Sequence, residues 1–411
     1  MSTFHLTSLN RLIAAKAIRG FGDGFVSLLL PVYLLNLGLT PFQVGLIATT
    51  TLLGSGVLTL LIGIHASRYD HRPLLLAASA LMAFTGLGIA SLDSFWPLML
   101  VALVGTLNPS GGDVSVFMPV EHAMLASDVE GPRRTAIFAR YSLTGTLFAA
   151  FGSLAAALPA LAAPAAGITT QTAIKAMFIL YAVLALVMAT LYRGLPLRPA
   201  AEVTQPKSAL GSSKKRVCVL ATLFSLDAFG GGFVVQSLIA LWLYQRFGLS
   251  IEVAGSIFFW AGLLTAFSYL VAAHIADHIG LVKTMVYTHL PSSLCLIAIP
   301  FCTHLTYAVI LLLIRSALSQ MDVPTRSSYV MAIVSPQERA AAASVTSVPR
   351  SLAAAASPAL AGYLLGVSTF GWPLIVGGAL KIVYDILLLA MFSRVRPPEE
   401  VPSAKLPAKA G

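Results

Sequence analysis

The sequence is poor in charged residues. Only 10% of its 411 residues are charged, whereas ordinary soluble domains carry about 25%. Hydrophobic residues make up 57% of the chain, which excludes a water-soluble fold with a polar surface. The composition is typical of an integral membrane protein.

Cysteine is also scarce, and the motifs of several enzyme classes are absent. Cys218, Cys295 and Cys302 lie in or beside apolar segments, without the spacing of metal ligands or disulfide partners, so we expect them to be packing residues. The chain has no Walker phosphate loop and no HExxH or GxSxG motif. The sequence therefore predicts a protein that is not an enzyme and that needs no cofactor and no metal.

Long apolar runs are abundant. A helix needs about 20 apolar residues to cross a bilayer. The chain has twelve such segments, at residues 11–36, 42–66, 73–92, 95–125, 134–160, 172–193, 217–245, 251–275, 282–301, 305–334, 340–366 and 370–394. The first run is too long for a cleavable signal peptide and leads into further spans. We therefore expect an all-α integral membrane protein.

The distribution of the cations predicts the topology. If both termini are cytoplasmic, the loops and ends on that side hold 17 of the 26 lysines and arginines, and the outer loops hold only Lys175 and Arg246. This asymmetry follows the positive-inside rule. We expect a multi-pass protein of the cell membrane (inner or plasma membrane) with both termini in the cytoplasm. The net charge of +10 then reports topology, and we expect no nucleic-acid partner.

A hydrophilic segment divides the chain into two similar halves. This segment, RGLPLRPAAEVTQPKSALGSSKKR, is rich in proline, serine and basic residues and has the composition of a linker. The pattern FG-G-FV begins at Phe21 and again at Phe229, and GDVS at Gly112 corresponds to MDVP at Met321. The predicted organisation is one half at 1–193, a cytoplasmic linker at 194–216, a second half at 217–394 and a cytoplasmic tail at 395–411.

Two homologous six-helix halves joined by a basic linker resemble the major facilitator superfamily. The resemblance covers essentially the whole chain and implies twelve transmembrane helices in two pseudo-symmetric halves. In that family the loops after helices 2 and 8 act as cytoplasmic latches, and they correspond here to GIHASRYDHR and AHIADHIGLVK. Ser67 stands where the family has an aspartate, and a solvated charged turn is the alternative for Asp70. The implied latch residues are Gly63, Arg68, Asp70, Arg72, Asp277, Gly280 and Lys283.

Two further segments resemble patterns of the family, and the second of them is similar to its drug:proton antiporter branch. Arg315, in LLLIRSALSQ, takes the place of an arginine that many members carry in helix 4. The segment AAAASPALAG, at 353–362, has in helix 11 the pattern of small residues and proline that drug antiporters show in helix 5. The alternative for these small residues is close helix packing.

Ionisable residues inside the predicted helices are the candidate functional residues. A charge at the centre of a membrane helix costs about 2.5 to 3.5 kcal/mol on insertion scales, and here such charges occur in sets of mixed sign. Lys16 and Arg350 lie near helix ends, where long cations reach the interface, and Lys381 and Asp385 are spaced to neutralise each other. The candidates for proton coupling or for the substrate cavity are Arg19, Asp23, Asp113, Glu121, Arg140, Asp227, Arg315, Asp322 and Arg326.

The fourth predicted helix has a composition that suits a cavity wall. Its segment NPSGGDVSVFMPVEH contains two prolines, which free backbone carbonyls that a membrane tolerates only beside protein or water. Asp113 and its repeat partner Asp322 would then flank one central cavity between the halves. For His122, a packed neutral ring and a member of a proton relay are the two alternatives.

These features predict a secondary active transporter that works by alternating access. Buried carboxyl groups can bind and release protons, so we expect coupling to protons, with efflux favoured. The alternatives are a proton-coupled uptake permease and a non-transporting membrane sensor or scaffold. The expected partners are a small-molecule or ion substrate, protons and the lipid bilayer, and we expect a monomer.

Overall fold

The structure is a computed structural model that describes residues 2–65, 70–108, 116–127, 132–197, 211, 213–335 and 338–393. Over these residues the chain forms a bundle of α-helices, and a 3-10 turn, Ile299–Phe301, extends the twelfth of them. The helices are α1 Ser2–Asn36, α2 Pro41–His65, α3 His71–Ser91, α4 Phe95–Val104, α5 Met118–Ser127, α6 Pro132–Ala155, α7 Leu158–Ala166, α8 Thr170–Arg193, α9 Lys214–Gly232, α10 Gln236–Phe247, α11 Ile251–Ile279, α12 Leu281–Ala298, α13 Leu305–Leu318, α14 Asp322–Ala332, α15 Arg339–Val367 and α16 Trp372–Phe392.

The predicted fold of twelve transmembrane helices is confirmed, but several spans consist of two helices. Within the described residues, nine helical segments are long and apolar enough to cross a membrane. The shorter apolar helices α4 and α13 begin the fourth and tenth spans. The eleventh span is α15, which has 29 residues and is rich in alanine and serine.

The fourth and tenth spans, predicted to be continuous, are interrupted. α4 ends at Val104, where Gly105 takes an extended conformation, and α13 ends at Leu318, with three residues between it and the start of α14. Each second helix carries a carboxylate in its first turn, Glu121 in α5 and Asp322 in α14. The N-terminal end of a helix favours negative charge, so the interruptions create two buried positions suited to an anion.

The helices of the two halves have equivalent neighbours. In the first half α1 packs against α6 and α8, and in the second half α9 packs against α15 and α16. These are the first helix of each half and the fifth and sixth spans of the same half. The packing therefore repeats as the sequence does, which gives the two halves their pseudo-symmetry.

The halves contact each other through α2 with α15 and through α6 with α11. A Cβ atom on Gly45 or on Gly362 would lie 2.9 Å from the Cα atom of the other glycine, so α2 and α15 approach at backbone distance. The Ala359 N–H donates to Thr49 Oγ1 at 2.9 Å in the same contact. These contacts lie close to the end of the bundle at which α2 and α11 begin. Within AAAASPALAG, Pro358, Ala359 and Gly362 therefore pack against the first half, whereas Ala354 and Ser357 pack against Gly232 of α9 in their own half.

The outside of the bundle is apolar. Trp96, Leu161, Phe267, Tyr307 and Val367 are each more than half exposed. Such a surface would be an aggregation hazard in water, whereas it is the surface that a bilayer requires.

Candidate functional site

The first buried charge cluster is centred on Glu121 of α5. Glu121 is fully buried, and its Oε2 accepts a hydrogen bond from Arg19 Nη2 of α1 at 2.7 Å and another from the Tyr141 hydroxyl of α6. Its Oε1 accepts from the Tyr192 hydroxyl of α8 at 2.7 Å. Three donors from three different helices thus stabilise one carboxylate, and they tie α1, α5, α6 and α8 together.

The glycines around Arg19 set the position of α1 in this cluster. Gly20 and Gly24 face the backbone of α6 at Gly145 and Ala149, so closely that an added Cβ atom would overlap carbonyl oxygens of that helix. The guanidinium of Arg19 lies over the Phe117 ring, 4.6 Å from its centroid. The glycines of the RGFGDG segment therefore allow helix packing, which brings Arg19 within reach of α5 and α6.

Asp23 lies one turn beyond Arg19 but takes a different partner. It is buried, with 8% of its surface exposed, and it accepts one hydrogen bond of 3.4 Å from the Tyr181 hydroxyl of α8. Among the described residues no cation lies within ion-pair distance of its carboxylate. Arg19 thus neutralises Glu121, and Asp23 has less stabilisation of its charged form than Glu121 has.

The second cluster is centred on Asp227 of α9. Its Oδ2 accepts from Arg326 Nη2 of α14 at 2.9 Å, and its Oδ1 accepts from Lys381 Nζ of α16 at 2.7 Å. Arg326 also bonds Asp322, four residues earlier on α14, as their spacing predicts. Asp227, Asp322 and Arg326 are all more than nine-tenths buried. This cluster joins α9, α14 and α16 inside the second half.

His289 of α12 belongs to the second cluster, and the sequence analysis missed it. Its Nδ1 lies 3.0 Å from both carboxylate oxygens of Asp385, and its Nε2 lies 3.4 Å from Lys381 Nζ. Lys381 and Asp385 therefore bind different partners, although their spacing had suggested that they neutralise each other. The available signal was an ionisable side chain inside an apolar span, which is a functional candidate by default.

The two clusters are related by the internal repeat with their charges reversed. Arg19 and Asp227 are 208 residues apart, which is also the distance from Phe21 to Phe229. In the first half a cation on α1 bonds an acid on α5, and in the second half an acid on α9 bonds a cation on α14. Equivalent helices thus form equivalent ion pairs, in which the cation and the acid have exchanged helices.

Other candidate residues lie elsewhere. Arg140 is exposed on α6, and Arg315 is half-buried on α13 with no described carboxylate in ion-pair distance. Lys16 does not reach the interface, because it is 7% exposed and its ammonium lies 4.9 Å from the centroid of the Tyr141 ring. His122 packs against the rings of Phe138 and Tyr141.

The cavity candidate Asp113 lies outside the described residues. The latch residues are only partly described, because Arg68 and the side chain of Asp277 also lie outside them. Gly63 is in the last turn of α2, Asp70 and Arg72 lie at the start of α3, and Lys283 is exposed on α12. Gly280, between α11 and α12, has φ +86°, a conformation that favours glycine. Within the described part of the chain, no three His, Cys, Asp or Glu side chains come together as a metal site would require.

Two carboxylates outside the spans have well-defined partners. Lys175 Nζ lies 2.8 Å from Asp93, and this hydrogen bond lowers the pKa of the Asp93 carboxyl. Glu338, just before α15, accepts hydrogen bonds from Ser213 Oγ at 2.8 Å, from Gly211 N at 2.6 Å and from Ser335 Oγ at 3.0 Å. These bonds, with that of Ser213 the strongest, lower the pKa of the Glu338 carboxyl and attach the start of α9 to the loop before α15.

Comparison with known proteins assigns the family. The profile of the Major Facilitator Superfamily matches residues 12–235 and again residues 218–410. The chain belongs to the major facilitator superfamily. The two matched ranges together span residues 12–410, and with the apolar helices they establish a multi-pass membrane protein of a transporter family.

Several known proteins are similar to nearly the whole chain at low sequence identity. An uncharacterised membrane protein of Saccharomyces cerevisiae is 24% identical, over 92% of each chain. A bacterial homologue of the human lysosomal transporter Spinster, in an inward-facing and occupied conformation, has a TM-score of 0.73 at 15% identity and covers 95% of this chain and 96% of its own. The nucleoside transporter NupG has a TM-score of 0.71 at 14% identity, over 94% of this chain and 99% of its own. The human organic anion transporter TETRAN has a TM-score of 0.67 at 18% identity, over 93% and 99%.

Proposed function

We propose that this protein is a proton-coupled secondary active transporter that exports a small solute by alternating access. The observation that carries the proposal is the contrast between two buried carboxyl groups, Glu121 and Asp23. Glu121 accepts three hydrogen bonds, one of them from a guanidinium. Asp23 accepts a single one of 3.4 Å.

Asp23 has the surroundings that a proton carrier requires. A carboxyl group that is buried but weakly bonded is stable with and without its proton, whereas a carboxylate in a buried ion pair is held in the charged form. Its partner, the Tyr181 hydroxyl, can donate to the carboxylate and accept from the carboxylic acid. Asp23 therefore binds and releases the coupling proton, and Arg19 with Glu121 keeps α1 in place.

The contacts between the halves support alternating access. The halves meet near the end at which α2 and α11 begin, through Gly45, Gly362 and the bond from Ala359 to Thr49. With both termini in the cytoplasm, as the distribution of cations favours, this end faces outward. The conformation is then closed on the outside, and transport requires the halves to separate there and to close at the cytoplasmic end.

The proposed direction of transport rests on a separate observation. The efflux direction rests on the antiporter-like segment AAAASPALAG, whose Gly362 lies in the contact between the halves. Among the structural neighbours are a nucleoside transporter and an organic anion transporter. Because proteins of this fold differ in their solutes, the fold does not indicate which solute this protein transports. We propose a monomer in the cell membrane, with the loops after α2 and α11 acting as cytoplasmic latches.

Solute flux in liposomes tests the proposal. Growth of cells with and without the protein, across a panel of solutes and toxic compounds, would first identify a transported solute. Purified protein in liposomes should then concentrate that solute when a pH gradient is imposed, and the accumulation should disappear when a protonophore removes the gradient. Passive equilibration would indicate an uncoupled facilitator, and absence of flux would indicate a sensor or scaffold; either result contradicts the proposal.

A further inference from the structure

The second cluster contains a histidine whose two ring nitrogens face groups of opposite charge. His289 is 3% exposed, and its Nδ1 lies 3.0 Å from Asp385 on α16. Its Nε2 faces the ammonium of Lys381 at 3.4 Å. Because an ammonium can only donate, a hydrogen bond from Lys381 requires Nε2 as the acceptor, with the ring hydrogen on Nδ1 facing Asp385. This bond therefore requires a neutral imidazole.

A single oxygen is within reach of both His289 and Lys381. Lys381 Nζ lies 2.7 Å from Asp227 Oδ1, and His289 Nε2 lies 3.6 Å from the same atom. A proton on Nε2 would turn this nitrogen into a donor that repels the ammonium, and its nearest described acceptor would be Asp227 Oδ1. The imidazolium of His289 and the ammonium of Lys381 thus compete for the hydrogen bond to Asp227 Oδ1.

Exchange of one cation for another leaves the charge of the cluster unchanged. Its described members include the carboxylates Asp227, Asp322 and Asp385 and the permanent cations Arg326 and Lys381. A protonated His289 that takes the place of Lys381 on Asp227 therefore supplies the counter-charge that the departing ammonium removes. Other titratable or charged groups around α12 are Arg315 on α13, Tyr384 on α16, His274 and His278 on α11, and Lys283 on α12 itself.

We propose that His289 is a second proton-binding group, whose protonated form replaces Lys381 on Asp227. Lys381 can leave because it is the most exposed member of the cluster, at 12% of its side chain. It lies beside Gly231 of α9, where an added Cβ atom would be 3.7 Å from its Nζ. The site is independent of Asp23, which lies in the other half, so it extends the proposed function and does not depend on it.

The protonation of His289 can be measured without transport. In purified protein labelled with ¹⁵N-histidine, the spectrum of His289→Gln identifies the His289 signals, and their positions report the ratio of charged to neutral imidazole. We expect this ratio to change between pH 5 and pH 8 in the unmodified sequence. Lys381→Met removes the competing cation, so the ratio at pH 6.5 should rise at least ten-fold. The matched control Lys283→Met, which removes an exposed lysine from α12, should change the ratio less than two-fold.

A second variant covers the case in which Lys381→Met does not fold. Asp385→Asn removes the anion that stabilises the imidazolium at Nδ1, so the ratio at pH 6.5 should fall at least ten-fold. A His289 that remains neutral from pH 5 to pH 8, or a ratio unaffected by either substitution, would overturn the proposal. Because no solute is needed, failure here is distinguishable from failure of the transport proposal.

Discussion

At the scale of single residues, buried carboxyl groups in one bundle have different roles because their donors differ. Glu121 has no exposed surface and bonds Arg19, Tyr141 and Tyr192. Asp23 has one long bond to Tyr181. With three donors, Glu121 belongs to an ion pair that holds helices together, whereas Asp23, with one donor, can exchange a proton under the function that we propose.

Glu121→Gln should destabilise the protein strongly. It leaves the guanidinium of Arg19, which is 3% exposed, without its counter-charge, and breaking a buried pair in this way costs about 3–5 kcal/mol. Thermal unfolding in detergent should show a clear loss, most of which the double variant Arg19→Gln, Glu121→Gln recovers. The control Asp93→Asn breaks an exposed pair with Lys175 and should cost about 0–1 kcal/mol. A single variant that unfolds at the same temperature as the unmodified protein would disprove the structural role of the pair.

At the scale of helices and loops, Glu338 attaches the segment before α15 to the start of α9. Glu338 accepts hydrogen bonds from the segment before α9 and from Ser335. Its pKa lies below that of an ordinary glutamate, so the attachment is complete above the ordinary value and is lost as the pH falls through the lowered one.

Glu338→Gln should loosen the segment that leads into α9 at neutral pH. The amide mimics the uncharged carboxyl group and carries no negative charge, so the hydrogen bonds from Gly211 and Ser213 lose their charge assistance and are weakened. Limited trypsin digestion at pH 7.5 should cut within residues 198–216 faster than in the unmodified protein. The matched control Glu252→Gln, at the start of α11, should not change the rate. Equal rates for all three proteins would refute the attachment.

Gly362→Ala should shift the protein away from the conformation in which the halves meet at Gly45. The added Cβ atom would lie 2.9 Å from the Cα of Gly45, and backbone atoms cannot move aside as a flexible side chain can. A cysteine introduced at Val32, beside the contact of α1 with α10, should then react faster with a soluble maleimide in a protein without its native cysteines. Gly366→Ala, one turn later on α15 with no atom within 4 Å of the new Cβ, is the control. Equal labelling of the two variants would contradict the role of this contact in closure.

The sequence predicted the spans well and the interruptions poorly. Apolar length and the repeated FG-G-FV pattern depend on local composition, which a single chain displays directly. The partners of Arg19, Lys381 and Asp385 depend on which helices are neighbours, and spacing along one helix does not contain that information. His289 was missed for the same reason, because its acid partners lie on α9 and α16. The offset of 208 residues between Arg19 and Asp227 was visible, but its meaning depends on the contacts each residue makes.

At the scale of the whole molecule, the repeat produces two half-bundles with ion pairs of reversed direction. Each pair joins the first helix of its half to an interrupted helix. The described polar contacts between the halves, in contrast, include the single hydrogen bond from Ala359 to Thr49 beside Gly45 and Gly362. Ion pairs within the halves and close glycine packing between them suit the alternating access that we propose.

The topology can be tested by labelling introduced cysteines. The excess of cations on one side predicts that cysteines at Thr40, Asp93 and Ser368 react with an impermeant reagent in intact cells. Cysteines at Arg72 and Gly211 should react only after permeabilisation. Labelling of the Gly211 position in intact cells would show that the orientation is the reverse of the predicted one. The closed end would then face the cytoplasm.

The most direct test of the central claim is proton movement driven by a solute gradient. Coupling is reciprocal, so a gradient of the transported solute across a liposome membrane should change the pH of the lumen, as an enclosed fluorescent dye reports. We predict that Asp23→Asn keeps the exchange of labelled solute but abolishes the pH change, because the amide preserves the shape of the side chain and cannot titrate. Asp93→Asn should move protons normally. Solute-driven proton movement by Asp23→Asn at the rate of the unmodified protein would contradict the account.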